Sequence, residues 1–270
     1  MTDPDADIQG RLELAISLAR RAGQLTLEYF QQDTLSVERK ADNSPVTIAD
    51  RRAEQLLREE IRRQFRDDAI VGEEFGEQPG TSGYRWILDP IDGTKSFISG
   101  VPLYGTLIGI EHRQEAVAGV IEMPALQECV YAARGGGAWY IQGAQPPRPT
   151  RVSARAKLAD GLFVTSQVDS FWARGAAEVY LALEKQAYIT RTWGDCYGYL
   201  LVATGRAEVM VDPILNIWDA AAVQPIIEEA GGAFTDWQGQ PTIYSGEAIG
   251  CNRLVLDAVL AITRRRPSPR

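Results

Sequence analysis

Histidine is almost absent from this chain: 270 residues contain one, His112. A Ser-His-Asp or Cys-His set has only that residue to use. A zinc site built on several imidazoles is excluded. A phosphohistidine route is open only through His112. That residue lies in Gly109-Ile110-Glu111-His112-Arg113-Gln114-Glu115, between two apolar runs. The stretch reads as a hairpin turn carrying a solvated imidazole. Cysteine is scarce too. Cys129, Cys196 and Cys251 are too few and too scattered for a disulfide framework or a thiolate zinc site. A reducing compartment is the expectation. Positive charge is in deficit, with 28 Lys plus Arg against 36 Asp plus Glu and a formal net charge of −8. Nucleic acid, which needs a cationic surface, is not expected as a partner. A phosphorylated small molecule stays open, because a bound metal reverses the sign locally. No run approaches the roughly 18 apolar residues of a membrane span. Residues 1–8 are acidic and polar, unlike a signal peptide. A soluble, cytoplasmic protein is expected.

What is present is an ordinary globular composition, 45% hydrophobic and 24% charged, which sets disorder and fibre aside. At roughly 150 residues per domain, the length fits one large domain or two. Leu12, Ala15, Leu18, Ala19, Ala22 and Leu25 recur at helical spacing over residues 8–30. Asn43-Ser44-Pro45 is turn chemistry. A second helix is expected over 49–65, with Asp50 at its start and Leu56, Leu57, Ile61 and Phe65 as its buried stripe. Strands are expected at 69–71, 85–88, 105–111, 116–122 and 129–133, the later ones antiparallel. Gly135-Gly136-Gly137 lacks the strand-to-helix context of a phosphate loop and reads as a turn into a strand. Residues 142–151, with Pro146, Pro147 and Pro149, form the best linker. Beyond it strands (162–165, 188–192, 207–211) alternate with helices (171–186, 197–204, 218–230), the last stopped by Gly231-Gly232. The division expected is an α+β domain over 1–145 and an α/β domain over 146–270. The tail Arg264-Arg265-Arg266, with Pro267 and Pro269, is expected to fray.

The strongest local feature is Trp86-Ile87-Leu88-Asp89-Pro90-Ile91-Asp92-Gly93-Thr94. An apolar strand runs into two acids, with Pro90 and Gly93 able to set a sharp turn. Val71-Gly72-Glu73-Glu74 is a second strand ending in glycine and acids, and Trp218-Asp219 puts an acid at a helix start. Taken singly, these residues have plain readings. Asp219 is an N-cap, Glu74 a solvated loop acid, and Asp89 and Asp92 turn formers. Taken together they form a charge problem. At about 4 Å each pair repels by roughly 4 kcal/mol at an effective dielectric near 20. A converged cluster needs cations or shared protons. Oxygen ligands without imidazole or thiolate select hard ions, Mg²⁺ first, with Mn²⁺ or Ca²⁺ as alternatives.

Gly72-Glu73-Glu74, Asp89-Pro90-Ile91-Asp92-Gly93-Thr94 and Trp218-Asp219-Ala220-Ala221 with Glu229-Ala230-Gly231-Gly232 resemble the signatures of the inositol monophosphatase superfamily. Pro45-Val46-Thr47-Ile48-Ala49-Asp50 is similar to its upstream element. The resemblance covers about residues 12–255. It implies a layered α/β/α/β/α sandwich of the inositol monophosphatase and fructose-1,6-bisphosphatase type. It also implies Mg²⁺-dependent, Li⁺-sensitive phosphomonoester hydrolysis, two or three ions, and a homodimer. By position it makes Glu73, Asp89 and the Ile91 carbonyl ligands of one ion and Asp89, Asp92 and Asp219 ligands of another. Glu73 is placed towards a third, weaker ion. Asp50 and Thr94 would orient and deprotonate water, giving Asp50, Glu73 and Thr94 catalytic roles. Ile91, Asp92, Asp219 and the amides of Gly93 and Thr94 would meet the substrate. Competing chemistries fit less well. A haloacid dehalogenase phosphatase uses Asp-x-Asp where this chain has Asp-x-x-Asp. Cys129 has Arg134 five positions on, one short of a cysteine phosphatase spacing.

Arg191-Thr192-Trp193-Gly194-Asp195-Cys196-Tyr197-Gly198-Tyr199 resembles the histidinol-phosphate phosphatases of this superfamily. So does Lys95-Ser96-Phe97 followed by Gly100-Val101-Pro102-Leu103-Tyr104. That resemblance implies a Mg²⁺-dependent enzyme of histidine biosynthesis. Asp195 and Asp212 are candidates to face the amine and imidazole of the substrate, and Arg191 a planar donor. Plainer readings stand beside these: an ion pair for Arg191, a helix N-cap for Asp195, core aromatics for Tyr197 and Tyr199. An inositol monophosphatase or a broad sugar phosphatase is the alternative within the class. A non-catalytic metal- or phosphoester-binding protein is the alternative outside it.

Overall fold

The computed structural model describes residues 4–32, 37–39 and 45–265. The turn expected at Asn43-Ser44 and the tail from Arg266 lie outside these residues. Two helices open the fold, α1 (Pro4–Leu27) and α2 (Ile48–Gln64). Before α2, a short antiparallel pair joins β1 (Val37–Arg39) to β2 (Pro45–Thr47). Helix α2 begins at a capping box. Thr47 Oγ accepts from Ala49 N at 3.1 Å, and Asp50 accepts from Thr47 N at 2.8 Å.

Eight strands then form one sheet: β3 (Ala69–Gly72), β4 (Gly76–Gln78), β5 (Tyr84–Asp92), β6 (Gly105–His112), β7 (Glu115–Met123), β8 (Glu128–Ala133), β9 (Ala138–Gln142) and β10 (Arg148–Pro149). Their order is β10-β9-β8-β7-β6-β5-β3-β4, antiparallel except for the β3–β5 pair. A short helix, α3 (Thr94–Ile98), follows β5. The second sheet contains β11 (Leu162–Val164), β12 (Ile189–Arg191), β13 (Val209–Asp212), β14 (Gly232–Thr235) and β15 (Ala248–Asn252), in the order β12-β11-β13-β15-β14. Its helices are α4 (Asp169–Ala173), α5 (Ala177–Gln186), α6 (Asp195–Ala203), α7 (Ile217–Ala220), α8 (Val223–Glu229) and α9 (Leu256–Thr263).

Three apolar clusters stack these elements into layers. Leu18, Leu57, Ile61 and Trp86 join α1 and α2 to one face of the large sheet. Ile87, Leu107 and Val130 on its other face pack with Leu200, Ile226 and Phe234, so α6 and α8 lie between the two sheets. Phe163, Phe171, Leu183, Val209 and Val259 close the far side under α4, α5 and α9. The result is the expected α/β/α/β/α sandwich. Strands β6 and β7 are buried almost throughout, because helices cover both of their faces.

Several boundaries differ from the sequence reading. The helix expected over 171–186 breaks at Arg174-Gly175, where Gly175 takes φ +72. The helix expected over 218–230 divides into α7 and α8; Pro225 has no N–H to offer the Ala221 carbonyl. His112 is the last residue of β6 rather than part of the turn. Arg113 and Gln114, at φ 51 and 70, make the two-residue hairpin loop. The imidazole stacks on Tyr84 at 4.2 Å between ring centroids. Within the expected linker, β10 still pairs with β9.

Candidate active site

The site forms where the parallel strands β3 and β5 end. A regular strand would send Asp89 and Asp92, three positions apart, to opposite faces. Here Asp89 pairs with Leu107 but Asp92 with Gly105, so three steps on β5 answer two on β6. The extra residue is a bulge at Pro90-Ile91, and it turns both carboxylates to the same side. Proline is tolerated at such a position because the ladder needs no N–H there. The Pro90 carbonyl is satisfied by Thr106 Oγ at 2.9 Å. The expected turn is therefore a continuation of β5.

Asp219 reaches the same place from the first turn of α7. It is both a capping residue and a member of the cluster: its Oδ2 accepts from Asn216 N at 2.8 Å. Asp89, Asp92 and Asp219 each offer an oxygen, all within 4.8 Å of one another. Asp89 is 2% exposed, whereas Asp92 and Asp219 open to the cleft. Asp89 Oδ1 accepts from Ile91 N at 3.1 Å, and Asp89 and Asp219 are hydrogen-bonded to each other. Asp92 accepts from Cys196 N. Burial first, then the charges of Glu73, Asp92 and Asp219, drives Asp89 well above the usual carboxylate range. Asp219 is pushed up to about 7, chiefly by burial. Such a group of carboxylates shares protons or takes up cations. Its donors are all oxygen, the pattern of a hard divalent ion.

Glu73 follows β3, and its N–H donates to the Leu88 carbonyl at 3.2 Å, extending the strand pairing into the site. It stands just outside the three-acid cluster, with its charge felt by Asp50, Asp89 and Asp219. Asp50 is 1% exposed and raised to about 6, mainly by burial, against the opposing pull of Thr47 hydrogen bonds. Gly93 takes φ +85, and a Cβ there would lie 2.9 Å from the Leu103 carbonyl and 3.2 Å from Asp195 Oδ2. Only glycine satisfies both demands. Thr94 opens α3 and donates from Oγ1 to the Ile91 carbonyl at 3.1 Å.

Beside the acids lie two adjoining clefts of about 340 and 160 Å³ that share Ser166, Gln167 and Asp195. Lys95 Nζ donates to Gln167 across the larger one. Asp195 begins α6 at φ +50, an uncommon conformation for a residue with a side chain. Its N–H donates to Ser166 Oγ at 2.8 Å, and that hydroxyl donates to Asp212 Oδ1 at 2.9 Å. Tyr199 OH donates to Asp212 Oδ2 at 2.9 Å, so this buried aromatic also serves the site. Burial lifts Asp212 to about 7. Arg191 is placed differently. It sits on the exposed edge strand β12, donates to the Thr190 carbonyl at 2.7 Å, and does not line either cleft. Ser166 and Gln167 were missed in the sequence. Their signal was position, two polar residues just past the end of a buried strand.

A five-layer sandwich with carboxylates gathered at its strand ends is the architecture of a metal-using phosphatase. The chain matches the Inositol monophosphatase family over residues 7–267 and belongs to it; it is a phosphoric monoester hydrolase. It is 48% identical over 238 residues to a Histidinol-phosphatase of Chlorobaculum parvum, covering 88% of this chain and 90% of that one. A Mycobacterium tuberculosis protein of the same name is 39% identical, with 92% and 96% covered. Among solved structures, extragenic suppressor protein suhB from Bartonella henselae superposes with a TM-score of 0.87 at 27% identity, covering 96% of this chain and 100% of that one. The Thermotoga maritima IMPase gives 0.83 at 31% identity, with 95% and 97% covered.

Proposed function

We propose that this chain is a Mg²⁺-dependent phosphatase that hydrolyses L-histidinol phosphate to L-histidinol and phosphate in histidine biosynthesis. It works in the cytoplasm as a homodimer. The observation that carries the substrate assignment is the acidic wall of the clefts. Asp195 stands beside the Gly93-Thr94 turn and is tied through Ser166 to Asp212, which lines the smaller cleft. A substrate with an ammonium and an imidazole is drawn to such a wall, whereas a polyol gains nothing from its charge. The histidinol-phosphatases among the relatives support the same assignment.

Asp89, Asp92 and Asp219, with Glu73 and the Ile91 carbonyl, would hold two or three ions. Bound Mg²⁺ supplies charge neutralisation at the phosphate and a more acidic water. The chain's own residues do the rest. Asp50, raised to about 6, is poised to take a proton near neutral pH. Thr94 Oγ1 donates to the Ile91 carbonyl and so leaves its lone pairs for a water or a phosphate oxygen. Gly93 and Thr94 offer backbone amides to the phosphate. Asp195 orients the cationic end of the substrate.

The test presents histidinol phosphate, inositol 1-phosphate, fructose 1,6-bisphosphate and adenosine 3′,5′-bisphosphate in parallel, with and without EDTA. The highest kcat/KM is expected for histidinol phosphate, with turnover abolished by EDTA and restored by Mg²⁺. A clear preference for any of the other three overturns the substrate assignment.

A further inference from the structure

We propose that Glu54, a residue outside the acid cluster, is a positioning residue that aims Glu73 into the candidate metal site and thereby sets its affinity for Mg²⁺. The proposal rests on the reading of Glu73 as a metal ligand.

Glu54 lies in the second turn of α2 and is 0% exposed. Its carboxylate is used on three sides. Oε2 accepts from Glu74 N at 2.7 Å, Oε1 accepts from Phe75 N at 3.2 Å, and Oε1 also accepts from Arg58 Nε at 2.7 Å. The first two donors are the peptide N–H groups immediately after Glu73. Arg58 also donates to the Gly76 carbonyl, so the carboxylate–guanidinium unit grips the turn between β3 and β4 at both ends. On the near side, a Cβ built on Gly72 would lie 2.0 Å from Glu54 Oε1. The carboxylate thus occupies the space where residue 72 would carry a side chain. Glu73 is fixed from before by its N–H bond to the Leu88 carbonyl and from after by Glu54.

The same helix presents Asp50 one turn earlier, on the same face as Glu54. One rigid element therefore sets the places of both Asp50 and Glu73. A buried acid gripping two peptide N–H groups beside a ligand plays the part of the outer partners that orient metal ligands, and losing such a partner weakens metal binding by roughly 10–100-fold.

The experiment titrates chelator-stripped protein with Mg²⁺ by calorimetry and measures the Mg²⁺ dependence of turnover and the thermal midpoint. Glu54→Gln keeps the volume but removes the charge and one acceptor. It is expected to bind Mg²⁺ about 10–100-fold more weakly, with kcat recovering at saturating Mg²⁺ and KM little changed. Glu208→Gln is the control. Glu208 is also 0% exposed, is paired with Arg155 at 2.9 Å and accepts from Leu162 N, but serves the second sheet. It should lower the midpoint and leave Mg²⁺ binding alone. If Glu208→Gln weakens Mg²⁺ equally, the effect is general destabilisation and the proposal is overturned. If Glu73→Gln weakens Mg²⁺ and Glu54→Gln does not, the positioning role is overturned while the ligand role of Glu73 stands. If Glu73→Gln itself binds Mg²⁺ like the parent, the ligand reading fails and takes the proposal with it. Should Glu54→Gln not fold, Gly72→Ala, which drives the carboxylate off its seat, decides by the same readouts.

Discussion

Replacing Asp219 by asparagine should strengthen the fold and cripple the reaction. The oxygens of Asp89, Asp92 and Asp219 lie within 4.8 Å of one another. At that separation and an effective dielectric near 20, two full charges repel by about 3.5 kcal/mol. Proton sharing relieves part of this in the metal-free protein, since Asp89 and Asp219 are both raised and hydrogen-bonded to each other. We take the unrelieved remainder as about 2 kcal/mol. Asparagine removes it, keeps an oxygen for the Asn216 N–H, and offers Asp89 a permanent donor. In excess EDTA, Asp219→Asn should therefore melt roughly 5 °C above the parent. In excess Mg²⁺ the order should reverse, because the parent gains stability by binding the ion and the variant gains little. Turnover should fall on the order of a thousandfold, the equivalent of about 4 kcal/mol in the barrier. Differential scanning fluorimetry with and without the ion reads the first two effects, and initial rates read the third. A variant that melts no higher than the parent in EDTA refutes the account of mutual repulsion. One that keeps the full Mg²⁺-induced rise refutes Asp219 as a ligand.

Asp68→Ala should cost roughly 3–5 kcal/mol, read by urea unfolding followed through tryptophan fluorescence, because it strands a buried Arg11 that now donates twice to Asp68, at 2.8 and 2.9 Å. Burial pulls Asp68 upward, but Arg11, Ser82 and Trp86 hold it below the usual carboxylate range, so its stabilisation is complete above about pH 4 and is lost as pH falls through the folded value; urea midpoints of the parent should drop there, and those of the variant should not drop as far. Asp195→Asn should lower kcat/KM for histidinol phosphate about tenfold and for inositol 1-phosphate much less, and an equal loss on both removes charge recognition from that residue. Gly119→Ala should lose about 1–3 kcal/mol in thermal or urea melts, since its Cβ would lie 2.0 Å from the Ala222 carbonyl, whereas Gly10→Ala, in open space on α1, should gain up to about 1 kcal/mol.

Much of the site was legible because acids at strand and helix ends are local features. Asp89, Asp92, Glu73 and Asp219 were all read as terminal acids; Asp92 ends β5, Glu73 follows β3 and Asp219 lies in the first turn of α7, whereas Asp89 stands three residues inside β5. Their approach to one another was not legible, since it depends on the register of β5 against β6, which no single strand reveals. The same limit hid Glu54. Within its own helix it is one more acid in a charged run, and its role appears only when the turn after β3 folds onto it. Arg191 is the opposite case, lining neither cleft. Its motif was informative, but an edge strand sends alternate residues to solvent, and the donor points along its own backbone. Helices over 171–186 and 218–230 read as continuous because periodicity continues across Gly175 and across Ala221-Ala222, where the backbone does not. Strands β14 and β15 and helix α9 went unread, although Gly231-Gly232, Asp236 to Pro241 and Ser245-Gly246 mark the borders of the two strands.

The acids meet because backbone approaches backbone more closely than side chains allow. A Cβ on Gly109 would lie 2.6 Å from the Ala221 side chain, and one on Gly119 2.0 Å from the Ala222 carbonyl. These absent methyl groups let the link between α7 and α8 settle onto β6 and β7, and that depth sets how far Asp219 reaches towards Asp89. Gly72 does the same for α2, letting Glu54 seat against the strand that delivers Glu73. Three small residues on the large sheet thus determine the separation of carboxylates that belong to other elements. Repulsion among those carboxylates opposes the arrangement, and the apolar layers on both sides of the sheet hold it in place. Close packing transmits a displacement of one backbone to its neighbour with little loss. A methyl group added at Gly109, remote from any reacting atom, should therefore change Mg²⁺ affinity as well as stability. The same methyl group at Gly10 on α1, which touches nothing, should change neither by that route.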